Sequence, residues 1–299
     1  NSFGIPFETD VRVLFYNKTM FTDEGLDPTK PPKTWDELWA LADKLDKKDD
    51  KGNYTRIAFA PVVFGSAGLD MWKYTQGVEW GQADGSVKVN DEKTQATLDW
   101  MKKWVDRYGG WQKLNDFKAK FGAAPNDPFM SGGIAMMVDV AGYNSQLEFY
   151  RPTYALKDGK SKPRMEWGVS LMPYASKPAT WSGGFALSIP KGAKDADAAW
   201  EVIKCMTGYD ANVSWSRDTY AIATYQKAND DPELQAVDMW KTVSEAMKTS
   251  TGGVFVAKYP NFSEQIDQRL EKFWKGEITA KQLLDDAQKA IEEAIAKKK

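Results

Sequence analysis

Short apolar, β-branched runs alternate along this chain with segments of helical period, and nearly every helical segment opens on its own capping residue. That alternation constrains the fold more than any other feature, because it forces sheet and helix to share one core. Thr34-Trp35-Asp36-Glu37 is a capping box, in which the threonine hydroxyl takes a first-turn N–H and the glutamate returns the bond. Leu38, Leu41, Ala42 and Leu45 then share one face. Asn90 is expected to cap a helix bearing Leu98, Met101, Val105 and Tyr108, which stops at Gly109-Gly110. Asp195 precedes an amphipathic helix with Trp200, Ile203, Cys205 and Met206. Asp231-Pro232 gives an N-cap with proline at the first helical position, leading into Leu234, Val237, Trp240, Val243 and Met247. Ser263 opens a helix that ends at Gly276, and Thr279 to Gln282 form a second capping box ahead of Leu283, Leu284, Ala287, Ile291 and Ile295. The β-rich runs fall at 11–16, 57–64, 134–140, 167–171, 185–189 and 254–257. An α/β fold follows.

With 299 residues the chain exceeds one average core, so two lobes are expected. No apolar run approaches the roughly 18 residues of a membrane span. The opening Asn1-Ser2-Phe3-Gly4-Ile5-Pro6 lacks the pattern of a signal peptide, which leaves mature, trimmed and cytosolic chains all open. Lys plus Arg number 40 against 42 Asp plus Glu, a net charge of −2 with no basic stripe, so no nucleic-acid partner is expected. Lys297-Lys298-Lys299 reads as a solvated helix end.

The absence of histidine removes Ser-His and Cys-His nucleophile pairs and every His-ligated metal site. No cofactor and no metal are expected. The single cysteine, Cys205, permits no intrachain disulfide and, on an amphipathic helix, is expected to be buried and inert. Neither a nucleophile elbow nor a P-loop occurs, and Met130-Ser131-Gly132-Gly133-Ile134 precedes a strand, the wrong context for a phosphate cradle.

What recurs is an acid or polar group beside an aromatic ring. Examples are Phe7-Glu8-Thr9-Asp10, Asp70-Met71-Trp72, Asp139 near Tyr143, Trp181-Ser182-Gly183, and Trp215-Ser216-Arg217-Asp218. A sugar ring has an apolar C–H face, which an aromatic plane covers, and a fringe of hydroxyls that carboxylates and guanidinium groups pair with. The plainer assignments stand beside this one. Trp35, Trp100, Trp104 and Trp274 read as packing, Arg217 equally as a surface ion pair, and Glu8 and Asp10 as solvated charges. For Tyr143 and Trp181 the residues alone leave ligand contact and packing equally open.

An ordered set of segments resembles the extracellular solute-binding proteins of family 1, the maltose-binding-protein-like proteins. The set runs from Phe3-Gly4-Ile5-Pro6 through Tyr16-Asn17-Lys18 to Gly25-Leu26-Asp27-Pro28 and Pro31-Pro32-Lys33-Thr34-Trp35. It continues with Phe129-Met130-Ser131-Gly132-Gly133-Ile134-Ala135-Met136, then residues 183–193 and the helix with Ala198-Ala199-Trp200. The resemblance implies a periplasmic-binding-protein type II fold of two α/β lobes joined by a hinge, with lobe 1 incomplete. It assigns 1–10 to a lobe 1 strand and hinge crossing, 11–178 to lobe 2, 179–231 to the rest of lobe 1, and 232–299 to a return into lobe 2. Relatives carry a sizeable segment before the Gly-Ile-Pro strand, so the lobe 1 portion is expected to be mobile, self-associating or completed by a further fragment.

The resemblance makes Asp10 an acceptor for a sugar hydroxyl and Tyr143 and Trp181 stacking platforms, although Tyr143 stands where the family more often has Trp. Trp72 and Tyr259 match more loosely. With the residue pattern, the candidate ligand-binding set is Glu8, Asp10, Trp72, Asp139, Tyr143, Trp181, Gly183, Arg217 and Tyr259. The implied activity is non-enzymatic capture of a sugar, an oligosaccharide by preference, for an ABC-type membrane permease. The implied complete protein is a monomer, periplasmic or extracellular, with a lipid anchor to the cell surface as a further option. The rival readings are a glycoside hydrolase using Asp10 and Asp139 as its two carboxylates, and a binding protein for a non-sugar solute such as a polyamine or a phosphodiester.

Overall fold

A single strand, β1 (Ile5–Asn17), organises the molecule, described over residues 3–297 in a computed structural model. From Val11 to Asn17 every residue of β1 is buried. There it lies between β2 (Met136–Val140) and β3 (Trp167–Leu171), antiparallel to both, with Leu14 opposite Val138 on one side and Ser170 on the other. A strand flanked on both edges and covered on both faces has no solvent side, so its residues read as a continuous apolar run. In its first half β1 changes partner. It pairs antiparallel with β4 (Thr180–Leu187), Thr9 opposite Gly184 and Asp10 opposite Gly183, and the short strand Ile222–Ala223 meets Glu8 and Thr9. The register shifts between Pro6 and Glu8, a bulge that bends the strand.

The main core surrounds the second half of β1 and is rich in indole rings. Trp35 stacks on Trp100 at 4.0 Å between ring centres, while Trp72 and Trp104 both meet Phe59 edge-on. Trp274 is buried as well. Both capping boxes form, on the Trp35–Leu45 and Ala280–Ala296 helices. Residues 196–229 contribute little to this core, and Val213, Ala223 and Ala228 make a small cluster of their own.

Several expectations need correction. The run 57–64 is a buried loop whose ladder contact is one bridge, Ile57 to Ile134, because burial alone selects apolar residues without requiring a strand. The run 254–257 is also not a strand, the pairing there being Ser250–Thr251 with Thr180–Trp181. Asp91, not Asn90, caps the Glu92–Arg107 helix by accepting from the Lys93 and Thr94 N–H groups. The segment after Asp231 is two helices, Pro232–Gln235 and Asp238–Lys248, and two further helices, Trp111–Lys118 and Tyr209–Thr219, have no side-chain cap to announce them. Cys205 is exposed. Its helix, Ala196–Met206, buries only Ile203, and the rest of its apolar side is left largely uncovered. Phe185 of β4 (67% exposed), Trp200 (43%) and Val202 (57%) are therefore left facing solvent. Asn1, Ser2, Lys298 and Lys299 lie outside the described residues. Among those described, no helix is long and apolar enough to cross a membrane.

Candidate functional site

Side chains two apart on a strand share a face. Glu8, Asp10 and Arg12 therefore project together from β1. The register places Phe185 opposite Glu8 and Gly183 opposite Asp10 and, continued by one pair, sets Trp181 across from Arg12. Contacts agree with that register. The Arg12 guanidinium lies over the Trp181 ring, 4.5 Å from its centre, and donates through Nη1 to Asp10 Oδ1 at 2.6 Å. Thr180 pins the Arg12 backbone from both sides: the Arg12 N–H donates to its hydroxyl at 3.1 Å, and that hydroxyl donates to the Arg12 carbonyl at 2.8 Å.

Two glycines are required by this packing. A Cβ on Gly183 would come within 2.1 Å of the Trp181 indole, so the ring lies along the strand over a residue that has no side chain. A Cβ on Gly184 would meet the Glu8 carbonyl oxygen at 2.2 Å, which fixes how closely β1 and β4 approach. Glu8 accepts a hydrogen bond from the Trp215 indole N–H, and Trp215 also contacts Phe7 at 5.2 Å.

Asp139, near the end of β2, stands opposite Val13 and so on the sheet face away from Asp10, where the Arg12 charge still reaches it. Burial raises its carboxyl pKa, opposed by the Val140 N–H and the charge of Arg12. Burial likewise raises Asp70, against the charges of Lys73 and Arg12, and Asp267 is raised by burial and by Asp70. One guanidinium thus stands among several carboxylates, its charge already engaged by Asp10. Among the described residues no cluster of His, Cys, Asp or Glu has the geometry to hold a metal ion.

The structure brings Asp10, Trp181 and Gly183 together beside Arg12. It sets Glu8 four residues back along the same strand against Trp215, leaves Asp139 opposite Val13 on the neighbouring strand, and separates the rest. Trp72 has no exposed surface, its N–H donating to the Ala67 carbonyl, and offers no face to a ligand. Tyr143 is 6% exposed; its hydroxyl donates to Asp127 at 2.8 Å and its ring meets Phe15 edge-on, so it packs in the core instead of forming a platform. Burial raises its hydroxyl pKa, with Asp127 adding to the effect. Arg217 is exposed and paired with Asp218 and Glu233, the surface alternative stated above. Tyr259 is half-buried and accepts from Gln265. Sequence reasoning missed Arg12, whose only signal was a charge in an otherwise apolar strand, two residues from Asp10.

A family model described as bacterial extracellular solute-binding protein matches residues 1–251. The chain belongs to that family. Curated relatives of this solute-binding chain include the sn-glycerol-3-phosphate-binding periplasmic proteins of Yersinia enterocolitica and of Escherichia coli K12, each 25% identical to it. The match covers 94% of this chain and 64% of either relative, so the chain spans less than two thirds of their length. Among solved structures, CpMnBP1 with mannotriose bound is 25% identical, with a TM-score of 0.83 over 97% of this chain and 73% of that one. An ABC-transporter solute-binding protein of Thermotoga lettingae bound with α-D-tagatose, 24% identical, shares the fold at a TM-score of 0.78, covering 98% of this chain and 72% of its own. The α/β periplasmic sugar-binding fold expected from the sequence is the fold observed.

Proposed function

We propose that this solute-binding chain captures an uncharged saccharide on the face formed by β1 and β4, for delivery to an ABC-type permease outside the cytoplasmic membrane. The observation that carries the reading is the charge of that face. Its relatives include binders of a phosphate ester and of a mannose oligosaccharide, two chemistries that demand opposite electrostatics. A phosphate ester needs surplus positive charge or a fork of free donors. Here the one guanidinium is shared with Asp10 and stacked on Trp181, and Asp70 and Asp139 stand within its field. A hydroxyl fringe, by contrast, is served by carboxylate acceptors beside an aromatic plane.

In this reading Asp10 accepts from a sugar hydroxyl, Trp181 covers a C–H face, and Glu8 stands further along the same strand face. Residues 11–178 and 232–299 form one lobe, 179–231 with the start of β1 belong to the other, and β1 and β4 cross between them. The separate Val213–Ala223–Ala228 cluster supports this division. A hinge there closes on ligand only as far as the ligand touches both sides. The reading is non-catalytic, in keeping with relatives that are binding proteins.

Calorimetric titration with mannotriose and with sn-glycerol-3-phosphate tests the proposal. Binding of mannotriose with little or no heat from the phosphate ester is expected, and the trisaccharide should be recovered intact. Preference for the phosphate ester would overturn the assignment.

A further inference from the structure

Arg12 is no part of the sugar chemistry assigned above, yet it touches both groups that carry it. Its residue is 9% exposed, and its Nε is buried with no hydrogen-bond partner. A guanidinium so enclosed is costly to keep unless its position is needed. It occupies the point where β1 exchanges β4 for β2 and β3: Val11 is the last residue in register with β4, and Arg12 is already paired with Val140. Thr180 fixes its backbone there through both N–H and carbonyl.

From that point the side chain reaches Asp10 along its own strand and Trp181 across the ladder. A Trp beside Gly183 has no neighbouring Cβ to hold its ring and is free to swing about χ1 and χ2 unless something presses on it. Arg12 supplies that pressure, because its planar guanidinium packs flat on an indole where an ammonium would act only as a point charge.

We propose that Arg12 is the positioning residue of the binding face, setting the indole plane of Trp181 and the direction of the Asp10 carboxylate in one arrangement. This rests on the saccharide reading, and the test separates the two. In the full chain, Arg12→Met and Arg12→Lys are each compared with the unsubstituted protein. Trp181→Phe counterparts isolate the fluorescence of this one indole among 13 tryptophans. Thermal melting and circular dichroism establish that each variant is folded.

Without ligand, acrylamide quenching of the Trp181 component should rise about twofold in Arg12→Met as the ring is released, with Arg12→Lys in between. In mannotriose titrations, Arg12→Met should bind about tenfold more weakly, the scale of a desolvated cation–π contact. Arg12→Lys should recover stability more fully than affinity. Unchanged quenching in folded Arg12→Met overturns the proposal whatever the titrations give, and so does raised quenching with undiminished affinity. A wild-type chain that binds no saccharide, with quenching still raised in Arg12→Met, overturns the saccharide reading and leaves the positioning of Trp181 by Arg12 supported.

Discussion

Trp181 is the residue on which most of the proposed affinity rests, and its neighbours say how it fails. Replacing it with Ala removes the aromatic plane without touching the main core, so mannotriose binding should weaken by about 1–3 kcal/mol while the circular dichroism spectrum is kept. Gly183→Ala should give a similar loss by another route, since the added methyl must displace the indole it would meet at 2.1 Å. Calorimetry on both variants checks this, and full affinity in both would remove Trp181 from the site. A different residue governs alkaline behaviour. Lys73 is buried with its ammonium 3.3 Å from the centre of the Tyr74 ring and 4.6 Å from that of Trp80. Burial lowers its pKa from 10.5 to about 8, against the opposing charges of Glu79, Asp70 and Asp91. A lysine whose folded pKa is depressed binds its proton less well folded than unfolded, so its penalty is full below pH 8 and fades as the pH rises to 10.5. Urea unfolding of Lys73→Met should show a gain on the order of 2 kcal/mol at pH 7 that shrinks above pH 8.

Strand β4 and the Ala196–Met206 helix are well-formed elements with little to lean on. Phe185, Trp200, Val202 and Met206 are exposed, and beyond Trp181 the outer edge of β4 has no strand paired to it among the described residues. Apolar side chains beside an unpaired strand edge favour association. Light scattering across a concentration series should show this chain self-associating. Phe185→Lys with Val202→Glu should shift it toward monomer without loss of helical signal. A monodisperse monomer at all concentrations would show that the exposed face is inert. Local spacing alone makes the helix amphipathic, but whether that pattern meets a partner is a long-range matter, which is why Cys205 is exposed and not buried as the pattern predicts.

Across the whole molecule, one carboxylate ties together segments far apart in sequence. Glu24 pairs with Arg56, with Lys47 at 2.9 Å and with Lys157 at 2.5 Å, and it is almost fully enclosed. Burial pushes its pKa up, but hydrogen bonds from the three cations and the charge of Arg56 outweigh that and bring it down from 4.5 to about 2. A depressed acid contributes stability that is complete above its unfolded pKa, and this contribution disappears as the pH falls from 4.5 toward 2. Glu24→Gln leaves Arg56 without its charge partner and should cost about 3–5 kcal/mol at pH 7. The variant's stability should also fall less steeply with acid, as followed by urea unfolding between pH 6 and about 2.5. Equal acid slopes in variant and parent would show that another group governs acid unfolding.

What the sequence determined by itself was whatever adjacent residues decide among themselves. Both capping boxes close within four residues, and both formed; the apolar run in β1 required burial on two sides and found it. Asp10 stands out in the sequence through the family resemblance, whereas Arg12, a lone charge in an apolar run, does not. Tertiary structure alone decided which aromatic stands opposite them. Trp181 and Trp72 each sit beside polar residues in sequence, yet one lies over Arg12 and the other is sealed between Trp35, Trp100 and Phe59. Residues 12 and 181 meet through the register of a ladder joining distant segments, and register is a cooperative result of all its pairs. No local pattern records it, which is why Trp181 stood level with Tyr143 until the strands were in place.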